Sequence, residues 1–208
     1  MKLYLSKVLI ERARPLQPYE WHQLLWTLFP APAGTPRPYL FRVEGQEPGA
    51  TQVLVQSNRE PQAGAAVDHA QVRVLATRPL QPPQGSGQRL QFQVTVNPTL
   101  QRRVPKAEPP GAGPTRRHLV RIGHYQEEEQ RAWLESRLAG AAQLEDVLIR
   151  DQRTLRFRTT RQQVGTVHTV RFTGALTVRD PEQLTRLLAK GVGPAKMLGC
   201  GMLSLAPG

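Results

Sequence analysis

Tyr19 and His22 are the residues of this chain whose types and spacing best suit chemistry at a phosphate. They stand three apart just after Pro18, a residue favoured in the first turn of a helix, so they are neighbours on one helical face. At about 100° per residue, Trp21, Leu24, Leu25 and Leu28 share the arc that must be buried, while Tyr19, His22 and Trp26 share another. The polar pair is thereby turned away from the core. A helix N-terminus also attracts phosphate and holds a nearby imidazole closer to neutral. Such a pair suits metal-free cleavage of RNA, in which the 2′-hydroxyl attacks the adjacent phosphate. That reaction needs a base for the hydroxyl, an acid for the leaving 5′-oxygen and cations for the charge on the pentacoordinate phosphorus. One histidine fills one proton-transfer role, as acid or base. Tyrosine, with a reference pKa near about 10, is better suited to orienting the attacking group. An ordinary surface histidine beside an ordinary tyrosine would look the same from this helix alone.

Two further segments carry cations in a distinctive setting. GVGPAKMLGCG (191–201) spaces glycines around Lys196, and Gly193 and Gly199 permit the close backbone approach that lets amides converge on a phosphate oxygen. The run lacks the Gly-Lys-Ser/Thr ending of a phosphate-binding P-loop, and Lys196 stands where a dinucleotide fingerprint needs its third glycine, so no nucleotide cofactor is expected. The second segment holds Arg150, Arg153, Arg156, Arg158 and Arg161 against Asp151. Alternation along TLRFRTT puts Leu155 and Phe157 on a face that packs and Arg156 and Arg158 on a face that is presented, as a basic ribbon along an RNA backbone would need. The plain alternative is a solvated strand face.

Composition agrees with an anionic partner. The 208 residues include 28 Lys or Arg and 16 Asp or Glu, a formal charge of +12. Each half of the chain, cut at residue 104, carries +6, which excludes a basic tail on a neutral body. The partner class is therefore a polyanion that spans both halves, nucleic acid before an anionic membrane. Cys200 stands alone, which excludes an intrachain disulfide and a multi-cysteine zinc site. No Asp, Glu and His cluster sits at metal-ligand spacing, so no metal is expected. The opening MKLYLSKVLIERARP does not read as a signal peptide, and no apolar run approaches the roughly 20 residues of a membrane span. A soluble, cytoplasmic protein is expected, with no membrane partner.

The elements that must position these residues read as two similar sets. Strand 2–10, helix 19–29, strands 39–45 and 51–57, a short helix around 63–69 and strand 71–77 form the first. LQPPQGSGQ (80–88) has the composition of a linker. Strand 89–99, a mobile Pro- and Gly-rich loop at 102–118, helix 126–142, strands 146–150, 154–160 and 166–178, helix 181–190 and strand 201–207 form the second. Glu127, Glu128 and Glu129 suit the first turn of their helix. The predicted class is α+β, two tandem ferredoxin-like βαββαβ domains at 1–79 and 89–208 with a C-terminal glycine-rich loop.

LYLSKVLI, YEWHQLLWTLFP, RLQFQVTVNPT, VRFTGALTVRDPEQL and above all GVGPAKMLGCGMLSLAP resemble the CasE family, the precursor-RNA endoribonucleases of type I-E CRISPR systems. The resemblance covers nearly the whole chain and is weakest at 102–118 and in the Arg-rich hairpin. It implies a metal-independent nuclease that binds the stem-loop of each CRISPR repeat and cuts at its 3′ base, leaving a 2′,3′-cyclic phosphate and a 5′-hydroxyl. It further implies that the enzyme stays on the mature guide RNA beside the other subunits of Cascade. His22 falls on the family's catalytic histidine and Tyr19 on a tyrosine that assists in some members. The reading from another class is a non-catalytic RNA-binding subunit of the same architecture.

Overall fold

The computed structural model describes residues 2–12, 14, 16–67, 70–105, 117–158 and 164–208. Residues up to 80 build one antiparallel sheet from β1 (Leu3–Arg12), β2 (Tyr39–Glu47), β3 (Ala50–Ser57), β4 (Gly64–Val67) and β5 (Ala70–Leu80), in the order β2-β3-β1-β5-β4. Among the described residues its single helix, α1 (Pro18–Trp26), buries Trp21, Leu24 and Leu25 against Val8, Ile10, Val53, Val55 and Val72. Glu20, in the first turn of α1, accepts from the amide of Gln17 at 2.7 Å and from the Arg12 guanidinium at 3.0 Å. The helix start is thus tied to the end of β1. The α-helix stops at Trp26 rather than Phe29, because Pro30 disfavours helical backbone at the residue before it. Leu28 and Phe29 still bury their side chains in the following turn.

The short helix expected around 63–69 is not formed: residues 64–67 are β4, paired with β5, and 68 and 69 lie outside the described residues. The Ala-rich run suggested a helix, but one so short gains few internal bonds to offset its nucleation, whereas the edge of β5 offers backbone partners at once.

The second sheet has the order β11-β6-β10-β9, from β6 (Arg89–Val96), β9 (Ala142–Arg158), β10 (Val164–Val178) and β11 (Ser204–Pro207). α2 (Glu127–Leu138) and α3 (Pro181–Lys190) cover one face and bury Trp133, Leu134, Leu138, Leu184 and Leu188 against Phe92, Val94, Phe172 and Leu176. Asp180 caps α3 by accepting from the amides of Glu182 and Gln183. Counted β6, α2, β9, β10, α3, β11, this half is βαββαβ, the ferredoxin-like arrangement. The ends of the expected 102–118 loop are instead a two-stranded ribbon, β7 (Thr99–Pro105) with β8 (Arg117–Gly123), and 106–116 lie outside the described residues.

Strands expected at 146–150 and 154–160 are one strand, β9, since pairing with β10 carries the backbone straight through Asp151–Arg153. Only Val170–Thr177 of β10 also pairs with β6, so the rest of the hairpin runs on as a free two-stranded ribbon. The two halves are packed together. Leu3 belongs to the second core, Leu80 at the start of the expected linker still pairs with Leu3, and the buried Gln56 donates to the carbonyl of Leu188. No helix is long and apolar enough to cross a membrane.

Candidate active site

Because Trp21, Leu24 and Leu25 face the first core, His22 leaves α1 on the side that faces the C-terminal glycine loop. Its ring lies among three aromatic rings, with centroid distances of 5.9 Å to Tyr19, 6.3 Å to Trp26 and 6.1 Å to Tyr39. Tyr39, at the start of β2, is buried and stacked on Phe29 at 5.1 Å. Its hydroxyl donates to the main-chain carbonyl of His22 at 2.8 Å and lies 3.1 Å from His22 Nδ1. A phenol has one proton, and the carbonyl takes it. Nδ1 must then carry the ring proton and donate to the phenol oxygen, which leaves the lone pair on Nε2. Burial, reinforced by the nearby Arg37 guanidinium, pushes the His22 pKa down to about 4.

The imidazole is therefore neutral at physiological pH. In an NMR titration of the RNA-free protein, His22 is expected to protonate near pH 4, well below the usual 6.5. A midpoint near 6.5 would contradict the site as drawn. Since the unfolded chain takes up this proton more readily, the same shift should make stability fall as pH drops from about 6.5 towards 4.

The cleft in front of His22 encloses about 850 Å³, between α1, the glycine loop and the second sheet. Arg37 and Lys196 line it, and among the described residues no carboxylate does. Lys196 sits in a 3-10 turn, Lys196–Leu198, entered through Ala195 in the left-handed region at φ 59°. The loop is pinned where the Val192 amide donates to the Gly201 carbonyl at 2.8 Å and the Gly201 amide to the Thr95 carbonyl at 2.7 Å. Gly193, at φ +73°, lies so close to the Trp133 ring that a Cβ would stand 2.6 Å from it. Both the backbone and the space require glycine there. Gly193→Ala is expected to lower the melting temperature by several degrees and to slow any reaction that uses Lys196, measured by thermal unfolding and single-turnover cleavage.

The sequence-predicted residues are only partly brought together. His22 and Lys196 share the cleft; Tyr19 is beside His22 but does not line the cleft. Gly199, at φ +83°, sits against Phe41, and with Arg153 it lines a neighbouring hollow. Arg150 falls at a β-bulge of β9 and donates to Thr173 Oγ1 at 3.0 Å, while Arg153 pairs with Asp151 at 2.6 Å. Arg156 is exposed on the free ribbon, Arg158 ends β9, and Arg161 lies outside the described residues. The apolar face of that ribbon does not pack into a core as expected. Phe157 lines the cleft opposite His22's helix and Leu155 lines the hollow, because the ribbon extends past the end of its own sheet.

Tyr39, Arg37, Tyr125 and His168 escape sequence reasoning. Tyr39 reads as a strand residue and Arg37 as part of a Pro-rich turn. No local spacing links either to His22.

Twin ferredoxin-like sheets with a neutral imidazole and two cations in the cleft between them define a protein that works on an anionic polymer. A sequence model described as CRISPR associated protein matches residues 3–207. The chain is 37% identical over 206 residues to the CRISPR system Cascade subunit CasE of Escherichia coli K12, covering 99% of this chain and all of that one. It is 33% identical over 197 residues, 89% of this chain and 80% of the relative, to the CRISPR-associated endoribonuclease Cse3 of Thermus thermophilus. Among solved structures, E. coli Cas6e superposes with a TM-score of 0.77 at 35% identity, covering 98% of this chain and 99% of that one. Thermus thermophilus Cse3, bound to an RNA representing a pre-cleavage complex, superposes with a TM-score of 0.77 at 32% identity over 100% of both chains. The chain belongs to the CRISPR-associated protein family, as an endoribonuclease of the CasE type.

Proposed function

We propose that this protein binds the stem-loop of CRISPR repeats in precursor RNA and cuts at the 3′ base of the stem without metal, then remains on the mature guide RNA as a Cascade subunit. The observation that carries the chemistry is the free Nε2 of a neutral His22 in a cleft lined by Arg37 and Lys196. Nε2 takes the 2′-hydroxyl proton as the 2′-oxygen bonds to phosphorus. Arg37 and Lys196 balance the charge that develops on the phosphoryl oxygens. The bond from phosphorus to the 5′-oxygen then breaks, and that oxygen takes a proton from the imidazolium or from water. The products are a 2′,3′-cyclic phosphate and a 5′-hydroxyl.

Tyr19, at the first turn of α1, orients the attacking strand. Arg150, Arg153, Arg156, Arg158 and Arg161 hold the stem, and the backbone at Gly193 and Gly199 lets the loop approach the phosphate. Residues 1–79 and 89–208 act as two domains joined by 80–88. Support comes from the named relatives: a Cascade subunit, and a Cse3 bound to RNA. The deciding experiment incubates the protein with a repeat hairpin in excess EDTA. One cut at the 3′ base of the stem, with a cyclic phosphate on the upstream product, is expected. Binding without cutting would instead make it a non-catalytic RNA-binding subunit.

A further inference from the structure

His22, Arg37 and Lys196 account for part of the cleft. The opposite wall carries the aromatic rings of Tyr125, Phe157 and His168, and the chemistry does not use them. Tyr125, just after β8, is 65% exposed, and its ring lies over the backbone of Gly123, where a Cβ would stand 3.3 Å from it. Its centroid is 4.8 Å from that of His168 on β10. Behind them Gln130 of α2, fully buried, uses Nε2 to donate to the His124 carbonyl at 3.1 Å and to Gln152 Oε1 at 3.1 Å, and lies 3.3 Å from His168 Nε2. Nδ1 of His168 and Oε1 of Gln130 are both buried without a partner. This wall therefore presents an open aromatic surface, the exposed Tyr125 ring packed beside His168.

We propose that Tyr125 and His168 form a seat for one unpaired nucleobase of the bound RNA, next to the phosphate held at His22. The inference rests on the RNA-cleaving role proposed above and adds a specificity element to it. A base fits better than any other occupant of this wall. The cleft is cationic and free of carboxylates among the described residues, which selects a polyanion. Within that polyanion, a nucleotide outside the duplex exposes its ring faces to stack on tyrosine, whereas A-form stacking hides every base face of the stem except that of its end pair. The seat thus favours a cut where the paired stem ends.

The test measures affinity for a repeat hairpin made uncleavable by a 2′-deoxy nucleotide at the cut, intact or with one abasic nucleotide placed in turn at each position flanking it. Wild type is expected to lose about tenfold at a single abasic position. Tyr125→Ala should lose about the same on intact RNA and nothing more on that abasic RNA, while Tyr125→Phe binds like wild type. Losses that multiply at every position would overturn the seat. So would unchanged RNA affinity in Tyr125→Ala, including the case where only its assembly with other protein subunits weakens, since the surface would then be a protein interface. Binding does not depend on cleavage, so a wild type that binds but never cuts refutes the nuclease reading and leaves the seat to be judged by affinity. A wild type that does not bind the hairpin refutes both.

Discussion

His22→Ala is expected to bind a repeat hairpin as tightly as wild type and to cut it about a thousandfold more slowly. The size follows from removing one positioned proton-transfer group, typically worth about 10²–10⁴ in rate. Folding should survive, because the bond from Tyr39 runs to the main-chain carbonyl of residue 22, which alanine keeps, and because the ring is turned away from the first core. The rate that remains should lose the acidic limb attributable to His22. In wild type, kcat/KM should stay level with falling pH until near 4, where the free enzyme's imidazole gains its proton. A variant that processes RNA at the wild-type rate would remove His22 from the reaction.

Tyr39→Phe is expected to lower kcat about tenfold to a hundredfold with KM unchanged. The ring keeps its stack on Phe29 and its volume in the core, so the loss is confined to one hydroxyl. Without it the His22 carbonyl loses its donor and Nδ1 loses its acceptor. Stability should fall by about 2 kcal/mol, the usual net value of two buried hydrogen bonds. The proton on the imidazole is then free to move to Nε2, where the ring is no longer a base for the substrate. A merely structural role for Tyr39 would leave the tautomer alone, so the discriminating measurement is the long-range proton–nitrogen NMR spectrum of His22. Wild type should show a protonated Nδ1 and Tyr39→Phe a mixture. A wild-type ring protonated on Nε2 would overturn the assignment.

What was legible beforehand follows from the range of the forces involved. Helical periodicity over 18–26 separates the buried face of Trp21, Leu24 and Leu25 from that of Tyr19 and His22, although Trp26, read on the second arc, packs against the core, and Leu28 lies beyond the helix. Asp180-Pro181 announces α3 through a cap that reaches only three residues. Both depend on neighbours a few positions away. At 63–69 the local signal failed because the edge of β5, a tertiary feature, competes for the same backbone. At Asp151–Arg153 it failed because pairing with β10 overrides a polar run that alone would end a strand.

By itself the sequence determined the βαββαβ order of the second half, an imidazole on a polar helix face, a glycine loop carrying one lysine and a surplus of arginine spread over both halves. Each is written in composition or in spacings of two to four residues. Only the tertiary structure decided which nitrogen of His22 is free, since that depends on Tyr39, 17 residues away on β2. It also placed Arg37 and Lys196 together beside His22, and set Phe157, Tyr125 and His168 on the far wall rather than in a core. These residues meet because two sheets close one cleft, and no short-range spacing in the chain encodes which side chains will face across it.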